Sequence, residues 1–383
     1  MGYIERRPGL HGGSDGKMST KLVVLTLLMG ASLSGASLAQ TVSKDHCREV
    51  ALRQKPGWTL SGAWQPDGSL IIVDALWNTI LRYSSSGESL GPVGEPLKSA
   101  LVDLMPVTGQ PRGSDFILEV SDGLMVMSER LRPIKTVNML AQKGEGWAIG
   151  GYWQWFPAGK DIVAYVDVVR GTDRDNIDNW KSAFVRFSLD NPAGLTVLSL
   201  GSLDDRNRTT FLRSGSPYIA SLGDTAYVLK FGERIGLYKN ERGSGKLEEI
   251  KGIQLGKSPQ LPQFKSAQDY VDLMAATEKV SMPVGLYGWN NSLYVLSRSP
   301  GAQGTRWFLT SINPAGESQG ITGKVELPIQ ASHVTVVPGP RSWAFVEKGP
   351  VKGYGVQDIS RVLLIPSHLL RAPLRSDGMV CRK

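Results

Sequence analysis

The chain has 383 residues, 41% hydrophobic and 20% charged, with a formal net charge of +8 and two cysteines. That length suits one large or two ordinary domains. Its lysines and arginines are scattered rather than clustered, so no nucleic-acid-binding module is visible. Past the first segment no run of about 18 apolar residues is long enough to span a bilayer.

The residues before Met18 are polar and Gly-rich and read as an overlong start. From Met18 the sequence runs "MSTKLVVLTLLMGASLSGASLAQ". A basic Lys21, an apolar stretch from Leu22 to Met29 and the small-residue end Ser37-Leu38-Ala39 form the pattern of a secretory signal peptide, cut after Ala39. Residues 1–39 are therefore expected to be removed and the remainder exported, periplasmic or secreted. Residues 40–57 form a lead-in, in which "HCREVALR" reads as a short helix.

From residue 58 the chain repeats a form. "WTLSGAWQPDGSLIIVDALWNTILRYSSSGE" gives an apolar run, a Pro-Asp-Gly turn, a second apolar run, a polar gap and a third run. Strands bounded by such turns are antiparallel hairpins. Five further stretches show the form, and the middles of the six second strands fall near Ile72, Ile117, Val163, Tyr227, Tyr294 and Ala344. Most intervals are roughly 45–50 residues, the period of a β-propeller blade. Residues 58–383 are thus expected to form an all-β, six-bladed β-propeller.

Two intervals are longer and imply insertions, at about 170–181 and 256–282. Within the second, "SAQDYVDLMAATEKV" reads as a helix between blades four and five, with Ser266 as N-cap and Asp269 three residues on. Cys47 and Cys381 lie near the two ends of the exported chain. An even pair in an oxidising compartment suggests a disulfide, and such a bond would bring the start and finish of the ring together.

The opening copy resembles an NHL-type six-bladed propeller repeat. "GAWQPDGSLIIVDALWNTILRYSSSGE" carries the likeness: a small residue, an apolar run, Pro66-Asp67-Gly68, a second run ending in Asp74, then Asn78 and Ile80. The match is good over residues 60–92 and loose over the other units. The resemblance implies ligand binding through the loops of one face or the central channel. It is also distantly similar to the gluconolactonase/regucalcin propellers, which hold a divalent metal with Glu, Asn and Asp, beginning with a Glu ahead of the first strand's Trp-x-Pro. Ser61-Gly62-Ala63-Trp64 stand at that place. Propellers that use histidine clusters need several histidines, and only His46, His333 and His368 follow the signal segment.

"TDRDNIDN" places Asp173, Asp175, Asn176 and Asp178 close together. Ca²⁺ prefers such oxygen-rich loops, while the same residues are ordinary turn formers. No cofactor is predicted beyond this metal candidate. In "WAIGGYWQWFPAGK", strand alternation sends Tyr152 and Gln154 to one side and Trp153 and Trp155 to the other. These aromatics suit either core packing or a stacking platform. With Tyr270, Met274 and Trp289, the residues Tyr152, Trp153 and Trp155 make up the candidate ligand contacts. No G-x-S-x-G motif supports a serine nucleophile, and "GSGK" at 243–246 lacks P-loop spacing. The expectation is a monomeric binding protein for a protein, peptide or carbohydrate and not for nucleic acid. A propeller hydrolase or lactonase with a divergent channel site is the alternative.

Overall fold

The β-rich runs pair first with their neighbours in the chain. A computed structural model of the protein describes residues 40–41, 47–50, 52, 59–74, 79–93, 109–112, 115–120, 123–128, 130–171, 174–203, 206–207, 218–260, 276, 279–302, 304–316, 319–349 and 359–371. Their strands form six separate sheets. Blade 1 comprises Thr59–Trp64, Leu70–Asp74, Thr79–Tyr83 and Ser89–Pro92. Blade 2 comprises Gly109–Arg112, Asp115–Val120, Gly123–Met127 and Pro133–Asn138. Blade 3 comprises Trp147–Ala158, Asp161–Arg170, Trp180–Ser188 and Asn191–Gly201, with the short Lys143–Gly144 beside its first strand. Blade 4 comprises Ile219–Leu222, Thr225–Phe231, Ile235–Asn240 and Glu248–Glu249. Blade 5 comprises Met282–Trp289, Ser292–Gly301, Gly304–Asn313 and Gly320–Leu327. Blade 6 holds His333–Val337, Ser342–Lys348 and Ile359–Pro366. Each of the six expected midpoints lies in the second strand of its blade.

Local chemistry sets the hairpins. In blade 1, Gly68 has φ 83° and the Asp67 carboxylate accepts the Ser69 backbone N–H at 2.9 Å and its hydroxyl at 2.7 Å. In blade 5, Asn290 and Asn291 have φ 48° and 61°. This positive-φ pair joins two strands whose right-handed twist it matches.

The core lies between blades. Ile71 and Val73 of blade 1 pack with Phe116 and Leu118 of blade 2. Ile117 of blade 2 packs with Ile162 and Ala164 of blade 3. One cluster joins Val163 of blade 3, Val228 of blade 4 and Leu286 of blade 5. Tyr294 and Leu296 of blade 5 meet Val334 and Trp343 of blade 6. Ala344 and Val346 of blade 6 meet Leu70 and Ile72 of blade 1, and the ring closes. At the fifth interface the Trp343 ring stands edge-on to Tyr294 (4.9 Å) and Tyr287 (6.0 Å), a favoured aromatic geometry.

The lead-in closes the ring. Arg48–Val50 is a strand, antiparallel to Val362–Leu364, and is the fourth strand of blade 6. The short helix expected in "HCREVALR" is therefore corrected. The third strand of blade 6 offers an unpaired edge, and filling it outweighs a weak local helical preference. Gln40–Thr41 adds to blade 5, parallel to Val325–Glu326. Cys47 is described and half-buried against the blade 5–6 core; Cys381 lies outside the described residues.

The helix expected over 266–280 also falls outside the described residues, apart from Ala276, Lys279 and Val280. Among the described residues helical backbone occurs only in short pieces, such as the 3₁₀ turns Met139–Ala141, Ile177–Asn179 and Leu369–Arg371. A helical insertion is thus not supported, and the fold is all-β. No helix among these residues is long and apolar enough to cross a membrane.

The two ends of the ring differ. Antiparallel pairing puts the first-to-second and third-to-fourth strand turns at one end, and none of these is longer than Glu241–Leu247. The opposite end carries the second-to-third connections and the passages between blades. These include 93–108, 171–179, 202–218 and 250–281.

Candidate binding site

The aromatic run of blade 3 sits on an irregular strand. Pairing of Trp147–Ala158 with Asp161–Arg170 slips between Ile149 and Gly151 and again between Tyr152 and Gln154. Gly150 and Trp153 are the extra residues of two β-bulges, and a bulge interrupts alternation. The expected partition is corrected accordingly. Tyr152 and Trp155 face blade 2, whereas Trp153 and Phe156 pack toward blade 4. The Gln154 side chain accepts the Tyr218 backbone N–H of blade 4 at 2.9 Å.

The face shared by Tyr152 and Trp155 holds a group that sequence reasoning missed. Trp155 is 2% exposed, and its Nε1–H donates to Glu119 Oε2 at 2.6 Å. The Tyr152 hydroxyl donates to the same carboxylate. Burial raises the Glu119 carboxyl to about 7, while the two hydrogen bonds pull it down. The available signal was alternation in "DFILEV": Ile117 faces blade 3, so Glu119 two residues on shares that face.

The other sequence candidates lie elsewhere. Trp289 is the last residue of its strand, at the short-turn end, and packs half-buried against the blade 5–6 core. Tyr270, Met274 and Asp173 lie outside the described residues. Asp175 and Asp178 are exposed, and the Asn176 side chain accepts the Asp178 N–H at 3.0 Å, capping the 3₁₀ turn. Among the described residues no group of three or more His, Cys, Asp or Glu is placed to hold a metal. At the Ser61–Trp64 stretch, a Cβ added to Gly62 would stand 2.5 Å from the Ile71 carbonyl oxygen, so the strand is tightly packed there.

An open groove of about 750 Å³ lies along the outer side of blade 4 and reaches the end with the long connections. Its cationic lining is Lys230, Arg234, Lys251 and Lys257; Glu233 and Glu249 are its carboxylates. Phe231, Ile235 and Ile253 form an apolar floor, buried in the blade 4 core. Lys230 Nζ lies 4.9 Å from the Tyr238 ring centroid and donates to Ser199 Oγ at 3.2 Å.

The rim of the groove is tied from two sides. The Phe231 N–H donates to Asn207 Oδ1 at 2.8 Å, and Arg206 Nη1 donates to the Gly232 carbonyl at 2.7 Å. On the other side, the Ile235 N–H donates to the Gly256 carbonyl at 3.0 Å and the Ser258 N–H to Glu233 O at 3.4 Å. These bonds hold the 232–234 turn against the start of the 256–282 insertion. Arg234, Lys251 and Lys257 form no ion pair among the described residues. Several cations elsewhere on the surface do, including Arg306 with Glu326 at 2.7 Å and Lys239 with Glu241 at 2.5 Å.

No family model matches the chain, and no curated protein matches its sequence. Solved structures of similar architecture include a member of the DUF4221 family from Bacteroides vulgatus. It is 11% identical with a TM-score of 0.49, over 86% of this chain and 98% of that one. A gluconolactonase from Xanthomonas campestris is 11% identical with a TM-score of 0.46, over 85% and 94% of the two chains. The calcium-binding protein regucalcin from Agrobacterium tumefaciens is 10% identical with a TM-score of 0.42, over 83% and 94%.

Proposed function

We propose that the chain is an exported propeller that binds a protein, peptide or carbohydrate at the end carrying its long connections. The observation that carries this reading is the asymmetry of the ring. One end has only short turns. The longer connections between described strands start and finish at the other, and the blade 4 groove opens toward it with a rim pinned by hydrogen bonds. Long connections on a regular scaffold are where binding residues concentrate. A signal segment ending at Ala39 supports export, and a Cys47–Cys381 disulfide would suit that compartment.

Hydrogen exchange on the full exported chain tests the reading. A panel of defined neutral and acidic oligosaccharides and short peptides serves as probe. Protection is expected at 231–235 and 250–258, with none at the short turns 223–224 and 290–291. Protection confined to the short-turn end, or none with any probe, would overturn the proposal.

A further inference from the structure

We infer that the blade 4 groove takes an acidic oligosaccharide, one carrying uronate, sulfate or phosphate groups. The inference rests on the binding reading above and names its ligand class. Four cations line the groove against two carboxylates. Three of them, Arg234, Lys251 and Lys257, form no ion pair among the described residues, so their charge is open to a ligand. Opposite charge in a partly enclosed groove concentrates anions and strengthens their contacts.

Two other anionic classes fit the groove less well. An extended acidic peptide binds most readily by adding a strand to a free sheet edge. Here the third strand of blade 4 is already covered. The Ile250 N–H donates to Leu237 O at 2.8 Å, and the Ile235 N–H donates to Gly256 O at 3.0 Å. The outermost strand is only Glu248–Glu249. Single-stranded nucleic acid needs aromatic faces on which bases stack. Tyr238 is the groove's tyrosine, and Lys230 lies over its ring. What remains is an apolar floor, glycine backbone at Gly232, Gly236, Gly252 and Gly256, and lysines acting as separate point charges. Phe231, Ile235 and Ile253 are buried beneath the groove, so contacts fall to the backbone and the cations. A saccharide's hydroxyls can hydrogen-bond the glycine backbone, and its anionic groups meet the lysines and Arg234.

Calorimetric titration of the full chain with tetragalacturonate tests this, with maltotetraose, hexaglutamate and oligothymidylate as comparison probes. Tetragalacturonate is expected to bind and maltotetraose not. Affinity should fall several-fold between about 50 and 300 mM salt, as screening requires. The double variant K251E/K257E should lose about tenfold or more in affinity, the order expected for two reversed charges near an anion. Neither lysine is ion-paired, so its circular dichroism and melting temperature should match the parent's. Equal binding of maltotetraose, tighter binding of hexaglutamate or oligothymidylate, or no effect of the reversal would overturn the inference. Exchange protection at the groove with no effect of the reversal would refute the acidic ligand and leave the binding site standing. Protection that avoids that end of the ring would remove both.

Discussion

Glu119 lies between the Trp155 indole and the Tyr152 hydroxyl, and burial raises its carboxyl to about 7 from an ordinary 4.5. Between those values the folded chain holds a proton that the unfolded chain has lost. Stability from this group is therefore complete below about pH 4.5 and is lost as pH rises through 7. The shift corresponds to about 3 kcal/mol. His333 acts in the opposite sense. Burial, with the charges of Lys348 and Arg298, lowers it to about 4 from 6.5, so its contribution is lost as pH falls through that window. The informative quantity is thus the difference between Glu119→Gln and the parent, in which the His333 effect cancels. Urea unfolding across pH 4–8 should show the variant gaining on the parent by about 3 kcal/mol as pH rises. A pH-independent difference would mean that Glu119 does not keep its proton. The sequence reading passed over Glu119: alternation in "DFILEV" could have placed it on the blade 3 side, but its two donors come from the next blade and are invisible locally.

At the scale of elements, turn chemistry was the most legible feature. Pro66-Asp67-Gly68 and Asn290-Asn291 mark their hairpins in the sequence, and both are tight turns in the structure. Valine at position 290 or 291 should cost about 1–2 kcal/mol each, because a β-branched residue resists positive φ. Glycine at either position should be near neutral. Equilibrium unfolding of the four single variants checks the ordering; equal costs for valine and glycine would contradict it. The bulge at Trp153 was not legible. Nothing in "YWQWF" marks which residue loses its partner, since the slip is set by packing against two neighbouring blades. The alternation assigned to Tyr152, Trp153 and Trp155 failed there for that reason. "HCREVALR" failed for a related one: a short segment takes the conformation that an open sheet edge offers it.

On the scale of the whole molecule, the ring is closed by backbone pairing of the lead-in with the last blade. Val50 and Leu52 are buried in the blade 6–1 core. Removing residues 40–52 should cost about 3–6 kcal/mol, the burial worth of two such side chains, and lower the melting temperature by roughly 5 °C or more. A synthetic peptide of residues 45–53 added in trans should restore part of the loss, which differential scanning calorimetry would read. An unchanged melting temperature on truncation would mean that closure does not depend on this strand.

The sequence by itself determined the all-β class, the six repeats and the middle of every second strand. Strand period and turn residues act over a few neighbours, so they survive without knowledge of the rest of the chain. Only the tertiary structure decided which blade the lead-in completes, that Glu119 meets Trp155 and Tyr152, and that Trp289 stands at the opposite end from the long connections. It also gathered Lys230, Arg234, Lys251 and Lys257 around one groove. Lys230 lies at the end of the second strand of blade 4 and Arg234 stands in the turn after it. Lys251 and Lys257 belong to the segment that returns along the third strand, a return held by tertiary hydrogen bonds that no local pattern marks.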